Sequence, residues 1–460
     1  MRSGSRKGEN SFIKGAAWIA AGGFVAKVVG ALYRIPLTNL IGGKGLGLYQ
    51  LVYPVYCLLL TVSATGIPSS IAKLTAERIA RGENDRAVLK TAMKLFVLIG
   101  LTGSLVMALV APWLAKMQGS EGVLSGYYAL APSVLLVSAI SVFRGWFQGR
   151  NHMFPTALSE VTEQLVKVGV GLPLAYFFRN DVERAVVYLL LAVSVSELVT
   201  LVMMAVLYRR EKRGEMGNEG GRVEMKSVLR LSIPVTLGSI LLPLSGLLDS
   251  VLAPRLLSAY ASDAVTLFGL FSGGAVTVVN LPVSVCYGIA AASVPRVAMV
   301  TEGRRRRVLS SLGLTLLVGG GSALGLYLFA EPAAKIIFRS LEGEELETLI
   351  GLIKAFSVSA MTLSAVQTLS ACLTAQGKPQ YAAISMALAM LVKTVLYVFW
   401  LRDPTISVFG LAYATNIAYA VAFFLNLLYN LRVASCRKCR NSVSAEVQDE
   451  LPVKPSIDNA

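Results

Sequence analysis

The stretch GAAWIAAGGFVAKVVGALYRIPL, residues 15–37, is long and apolar enough to enter a membrane, yet it contains Lys27 and Arg34. Roughly 20 mainly apolar residues cross the hydrocarbon core as a helix. A charged side chain within such a span costs roughly 2.5–3.5 kcal/mol, so it generally faces a partner or a water-filled cavity. We therefore predict a membrane helix that carries a cationic face.

Similar apolar runs recur along the whole chain, of whose 460 residues 55% are hydrophobic and only 15% are charged. Helices are predicted for these runs, because a helix satisfies its backbone hydrogen bonds within the segment. The predicted fold class is an all-α polytopic membrane protein. Its twelve predicted spans cover residues 15–33, 46–67, 91–113, 126–147, 155–178, 185–208, 229–252, 266–293, 308–330, 351–374, 381–401 and 406–430.

The net charge of +16 follows this predicted topology. With the amino terminus placed in the cytoplasm, most of the 43 Lys and Arg residues fall on the inner side, including those at 73–94, 209–230 and 304–307. Anionic membrane lipids account for these charges, so a nucleic-acid partner is not expected. We predict a multi-pass protein of the cell membrane with both termini in the cytoplasm.

The two halves of the chain resemble each other. YYALAPSVLLVSA at 127–139 aligns with IKAFSVSAMTLSA at 353–365, and LVK recurs at 165–167 and 391–393. Six spans per repeat is an even number, so both copies enter the membrane in the same direction. Parallel repeats of this kind have a binding site near the membrane midplane, at the interface of the repeats.

The predicted domain organisation follows from this repeat. An N-lobe at 1–208 and a C-lobe at 229–432 each contain six predicted spans, and a polar cytoplasmic linker at 209–228 joins them. Residues 433–460 are polar and show no apolar period, so we predict a disordered cytoplasmic tail.

Ten ionisable residues within or beside the predicted spans are candidate site residues, and they sort by depth. Those near mid-depth, where the balance is mainly positive, are Lys27, Lys167, Lys393 and Glu197. Those near the cytoplasmic end of their span are Glu160 and Glu163. Those toward the outer side are Arg34, Asp249, Arg255 and Lys354.

Lys27 and Arg34 form a predicted cationic stripe, because seven residues are about two helical turns and place both on one face. Such a stripe suits an anionic, phosphate-bearing substrate, since Arg can fork onto phosphate oxygens and Lys acts as a point charge. The alternative is that either cation reaches an interface with water, or pairs with Asp249 or Glu197 of another helix.

Lys167 and Lys393 occupy equivalent LVK positions in the two halves, but their neighbourhoods differ. Glu163 precedes Lys167 by four residues, the spacing that favours an ion pair on one helix face, and Glu160 lies on nearly the same face. Lys393 has no acidic residue in its own span, so it needs the substrate or a partner such as Glu197. We predict that Lys393 matters more for transport than Lys167.

No catalytic constellation and no cofactor are predicted. The chain has one histidine, His152, in a polar turn, and it lacks the GxxxxGK pattern of a phosphate-cradling loop. Cys436 and Cys439 have the spacing of half a zinc site; incidental thiols, palmitoylation and metal binding are the alternatives for them. The sequence therefore favours a transporter over an enzyme.

Several segments resemble the stage V sporulation protein B group of polysaccharide exporters, over essentially all of residues 10–432. They are FIKGAAWIAAGGFVAKVVGALYRIPL (12–37), GLGLYQLVYPVY (45–56), TGIPSSIAKLTAE (65–77), RGWFQGRNHMFPTALSEVTEQ (144–164) and RLSIPVTLGSILLPLSGLLDSVLAPRLL (230–257). The group belongs to the multidrug, oligosaccharidyl-lipid and polysaccharide exporter superfamily, which includes the lipid II flippases. The resemblance thus implies two six-helix lobes and alternating access.

The resemblance also implies a substrate, an undecaprenyl-diphosphate-linked saccharide moved from the inner to the outer leaflet, and partners among membrane lipids and cell-wall synthesis proteins. By the same resemblance, Lys27 and Arg34 match basic first-span positions that meet the diphosphate, and Asp249 and Arg255 match a pattern of the seventh span. Lipid II flippases carry two further spans, whereas this chain turns polar after Arg432.

Two other functions compete with the flippase. A cation-coupled multidrug exporter of the same superfamily would use acidic residues such as Glu160, Glu163 and Asp249. A non-transporting membrane scaffold in sporulation or division would not need the charges at the midplane.

Overall fold

The part of the chain that the structure describes contains sixteen α-helices. This computed structural model describes residues 2–212, 225–298 and 303–435, and these ranges contain no β-strand. The first six helices are α1 Arg2–Leu60, α2 Ile67–Ala80, α3 Arg86–Met117, α4 Leu124–Gly149, α5 Phe154–Phe177 and α6 Val182–Lys212. The others are α7 Met225–Ser239, α8 Leu241–Leu257, α9 Ala264–Gly269, α10 Val276–Ala298, α11 Arg304–Leu328, α12 Ala330–Ile337, α13 Gly343–Phe356, α14 Val358–Ala375, α15 Pro379–Trp400 and α16 Phe409–Ser435.

Nine helical segments in the described ranges are long and apolar enough to cross a membrane. Three further predicted spans are present as helices that fail this simple test. The first predicted span runs directly into the second within α1. The fifth, α5, carries three charged side chains, and the seventh is divided between α7 and α8. The chain is thus an all-α, multi-pass membrane protein, as predicted.

α1 is two helices joined by a single residue, where the sequence predicted a twelve-residue connection at 34–45. Gly42 has a φ of 64° and a ψ of −169° and turns the chain there. A positive φ of this kind is available to glycine without steric cost. The first helix continues beyond residue 33 because Tyr33, Leu37 and Ile41, spaced by four residues, are all buried.

Two π-helical turns, which are wider than α-helical turns, interrupt the helices. A π-helical turn covers Thr61–Thr65 between α1 and α2, and another covers Leu270–Ala275 between α9 and α10. Such turns are rare and occur frequently at functional sites.

The described residues divide into two compact units. The first contains Met1–Val278, Phe329–Lys354 and Thr394–Ala412; the second contains Val279–Leu328, Ala355–Lys393 and Tyr413–Ala460. The first unit has a core around Trp146, Phe147 and Ile71. The predicted linker lies largely, and the predicted tail almost entirely, outside the described residues, and the division into lobes at 209–228 stays a prediction.

The repeated serines play similar parts in the two units. Ser133 of α4 is 2.8 Å from Ser194 of α6, and Ser359 of α14 donates a 2.5 Å hydrogen bond to Asn416 of α16. Both serines are fully buried. In each unit, therefore, a serine at the repeated position ties its own helix to a later one, α6 in the first unit and α16 in the second.

Candidate functional site

Arg34 lies half-buried inside a membrane helix and is held by a polar partner. Its guanidinium Nη1 donates a hydrogen bond to the hydroxyl of Thr277, in the first turn of α10. The crossing of α1 and α9 brings this turn close: a Cβ on Gly269 would lie 2.6 Å from the Gly43 carbonyl oxygen and 2.7 Å from Gly47 Cα. Only small residues permit such a close approach of two backbones.

α1 also packs closely along α5, and the two helices run in the same direction. A Cβ on Gly22 would lie 2.6 Å from the Ala157 Cβ, and a Cβ on Gly30 would lie 3.3 Å from the Gln164 amide oxygen. One turn further along, the ammonium of Lys167 is 5.9 Å from the centre of the Tyr33 ring. Lys167 therefore lies against the residue that precedes Arg34 in α1.

Lys27 belongs to the same part of α1, but its side chain lies outside the described part of the structure. Gly23 and Gly30 flank it along the helix, and they pack against Glu160 and Gln164 respectively. The cationic stripe of Lys27 and Arg34 therefore stays a prediction, while the position of Arg34 is described.

The ion pair predicted between Glu163 and Lys167 is wrong. Glu163 instead pairs with Arg144 of α4, at 3.1 Å, and Arg144 also donates a 2.8 Å hydrogen bond from its Nε to the Ser159 hydroxyl. The four-residue spacing permits a pair on one helix. In the fold, however, the Arg144 guanidinium of α4 contacts α5 at two side chains, Glu163 and Ser159, and it takes the carboxylate. Lys167 is consequently not neutralised by a contact ion pair within its own helix.

Glu197 is a fully buried carboxyl group on α6. The Tyr56 hydroxyl of α1 donates a hydrogen bond to its Oε1. The sequence analysis offered Glu197 as a partner for Lys393 or for the cationic stripe; its hydrogen-bond partner in the structure is a tyrosine of the first unit. The contact ties α6 to the second half of α1.

Three tyrosines on one face of α1 complete the site, and the sequence analysis missed them. The rings of Tyr49 and Tyr53 stack with centroids 5.2 Å apart, and Tyr53 and Tyr56 follow at 5.7 Å. The spacing in YQLVYPVY (49–56) is a detectable signal, because residues four apart face the same way on a helix.

The remaining predicted residues lie apart from this cluster along the chain. Asp249 is half-buried on α8, and Arg255 is exposed in the last turn of the same helix. Lys354 is exposed in the last turn of α13. Lys393 is buried on α15, with 5% of its surface exposed, and belongs to the second unit. Of the predicted residues, Arg34, Glu163 and Lys167 thus lie in the first unit, where Glu163 contacts Arg144.

Sequence comparison identifies the family to which the chain belongs. Residues 12–301 match the family described as polysaccharide biosynthesis protein. The chain belongs to this family. Among relatives in Bacillus subtilis (strain 168), it is 29% identical to the uncharacterized membrane protein YabM, over 91% of this chain and 80% of the relative. It is 27% identical to stage V sporulation protein B, over 72% and 68%, and 22% identical to the lipid II flippase MurJ, over 91% and 82%.

Solved structures with the same fold are transporters of the MOP superfamily. An inward-facing multidrug resistance MATE family transporter superposes with a TM-score of 0.73 at 16% identity, covering 90% of this chain and 96% of that one. The lipid II flippase MurJ in an inward closed conformation gives 0.71 at 12% identity, over 95% and 93%. These similarities show the fold, and they confirm the resemblance stated from the sequence segments.

Proposed function

We propose that this family member is a flippase that moves a lipid-linked saccharide diphosphate from the inner to the outer leaflet of the cell membrane. One observation carries the proposal. The guanidinium of Arg34 lies inside a membrane helix, the ammonium of Lys167 lies against the ring of the preceding residue, Tyr33, and neither cation has a carboxylate within ion-pair distance among the described residues. Two cations within the membrane attract an anionic ligand.

A diphosphate matches these two groups chemically. A guanidinium can donate two parallel hydrogen bonds to phosphate oxygens, and an ammonium adds a compact charge. Moving about two negative charges outward across an inside-negative membrane is favourable by roughly 4–5 kcal/mol per 100 mV. A flippase of this kind therefore needs no nucleotide to drive its export step.

The relatives support the same substrate class. The family is described as polysaccharide biosynthesis protein, and one relative is named a lipid II flippase. A multidrug exporter of organic cations would instead need an available carboxylate in the site. The carboxylate of Glu163 is engaged by Arg144, and that of Glu197 is fully buried against Tyr56. These contacts favour the anionic substrate.

Rescue of a cell depleted of its lipid II flippase tests the proposal. We expect the wild-type chain to restore growth and outward movement of the lipid-linked precursor, and we expect Arg34→Ala to restore neither at an equal protein level. Lys116→Ala, which removes an exposed cation in the last turn of α3, is the matched control and should rescue fully. Full rescue by Arg34→Ala would contradict the proposal.

A further inference from the structure

We infer that Thr277 is a positioning residue for Arg34: its hydroxyl holds one nitrogen of the guanidinium, so that the opposite edge of the guanidinium is set to receive the diphosphate of the substrate. The inference rests on the proposed flippase function and adds a residue of α10 to the site. Thr277 acts on the substrate through Arg34.

The contact joins two helices that are distant in sequence. Nη1 of Arg34, in the first helix of α1, donates a hydrogen bond to the hydroxyl of Thr277, the second residue of α10. Both side chains are half-buried, and both residues belong to the first unit. The fold, and not the local sequence, therefore supplies the partner of Arg34.

The Thr277 hydroxyl is not used to stabilise its own helix. Helical threonines commonly donate to the carbonyl four residues earlier. Threonines of this chain that do so include Thr38, Thr102, Thr200, Thr315, Thr362 and Thr374. Thr277, in contrast, donates to no residue that the structure describes. The residue four before it is Gly273, within the wider π-helical turn Leu270–Ala275, which accounts for the difference. The hydroxyl thus serves Arg34.

The Arg34 guanidinium keeps one complete donor edge. A guanidinium carries five N–H donors in a planar fork. Nη1 is bound by Thr277, whereas Nε and Nη2 donate to no residue in the described ranges. Nε and Nη2 lie on the same edge, and two such nitrogens can donate parallel hydrogen bonds to phosphate oxygens. Thr277 therefore occupies the nitrogen that this edge does not need.

Holding Arg34 in place should raise its affinity for phosphate. An arginine side chain has several rotatable bonds, and ordering it on binding costs conformational entropy. A side chain that is already ordered in the free protein avoids much of this cost. The close crossing of α1 and α9 at Gly47 and Gly269 fixes where α10 begins, so Thr277 is in place before the ligand arrives.

Binding of farnesyl diphosphate to the purified full chain tests the inference. Thr277→Val keeps the shape of the side chain and loses the acceptor, so we expect it to weaken binding about tenfold. Thr277→Ser keeps the hydroxyl and should bind like wild type. In a protein that already carries Arg34→Ala, adding Thr277→Val should cause no further loss, because the two residues act as one unit.

Controls separate this role from a structural one. Farnesol, which lacks the diphosphate, should bind wild type and Thr277→Val equally. Thr374→Val removes an exposed hydroxyl bonded only to its own helix, and it should leave both affinities unchanged. Thermal unfolding shows that each variant is folded, and Thr277→Ala serves if Thr277→Val does not fold.

The outcomes distinguish this inference from the proposed function. Wild-type affinity of Thr277→Val, an equal loss in Thr277→Ser, or a further tenfold loss on adding Thr277→Val to Arg34→Ala would overturn the positioning role and leave the flippase proposal standing. Failure of wild type to bind farnesyl diphosphate more tightly than farnesol would overturn both.

Discussion

Arg34 is the residue on which the proposed chemistry depends most directly. A hydrogen bond to a charged group is worth about 1.5–3 kcal/mol, so Arg34→Ala should lower transport by about ten- to a hundredfold at a normal protein level. Arg34→Lys keeps the charge but loses the fork, so we expect an intermediate defect. Flipping of a labelled lipid-linked precursor in vesicles, normalised to protein content, measures both. Wild-type flipping by Arg34→Ala would remove this residue from the site.

The Arg144–Glu163 pair is expected to support the structure of the site. The two side chains are 16% and 24% exposed, so the pair lies between the surface and buried classes. Glu163→Gln leaves the Arg144 charge poorly compensated and should destabilise the protein by about 1–3 kcal/mol. The lowered Tm in detergent measures this effect. Glu331→Gln breaks an exposed ion pair with Lys335 and should leave the Tm nearly unchanged; equal shifts in the two variants would contradict the prediction.

The equivalent lysines of the repeat should fail in different ways, whereas the sequence favoured a difference in the severity of the transport defect. Lys167 is half-buried beside Tyr33, whereas Lys393 is buried, with 5% exposed. Neutralising a buried lysine leaves its surroundings arranged for a missing charge. We therefore expect Lys393→Gln to lower the amount of folded protein, and Lys167→Gln to lower flipping at a normal amount. The yield of folded protein and the flipping activity are measured for both variants. A normal yield of Lys393→Gln together with a low yield of Lys167→Gln would refute the prediction.

The crossing of α1 and α9 is the element contact that holds Thr277 next to Arg34. A Cβ on Gly47 would overlap the Val265 carbonyl, so Gly47→Ala should force the two helices apart and cost about 1–3 kcal/mol of stability. Gly169→Ala is the control: no heavy atom lies within 4 Å of the added Cβ in α5, and replacing a helical glycine by alanine should stabilise by about 0.5–1 kcal/mol. The Tm should therefore fall in Gly47→Ala and rise in Gly169→Ala. An unchanged Tm in Gly47→Ala would show that the two helices move apart at no cost.

The elements themselves were largely predictable, and the contacts between them were not. Apolar length located α6 at 185–208, against Val182–Lys212 in the structure, because span length and burial follow from composition. The partner of Glu163 was missed because it depends on how α4 and α5 are rotated and spaced. The same holds for Tyr49 and Tyr53: the pattern places them on one helix face, but only the fold shows that their rings stack.

At the scale of the whole molecule, the orientation of the chain in the membrane can be tested directly. With the twelve predicted crossings and the positive-inside charge distribution, both termini should be cytoplasmic. A reporter that is active only in the cytoplasm should work when it is fused after Arg432. A reporter that is active only outside the cell should work when it is inserted at Gly119, in the turn after α3. Activity of the Arg432 fusion outside the cell would invert the topology, and with it the direction assigned to transport.

The two π-helical turns also decide where this chain can change length. Such a turn closes one residue later than an α-helical turn, so losing one residue from Thr61–Thr65 or Leu270–Ala275 converts it to ordinary helix and leaves both flanks facing as before. A deletion elsewhere in these helices rotates everything beyond it by about 100°. Between Tyr49 and Tyr56 that rotation would separate Tyr56 from Glu197. Gaps between this chain and its homologues in these helices should therefore concentrate at the two π-turns.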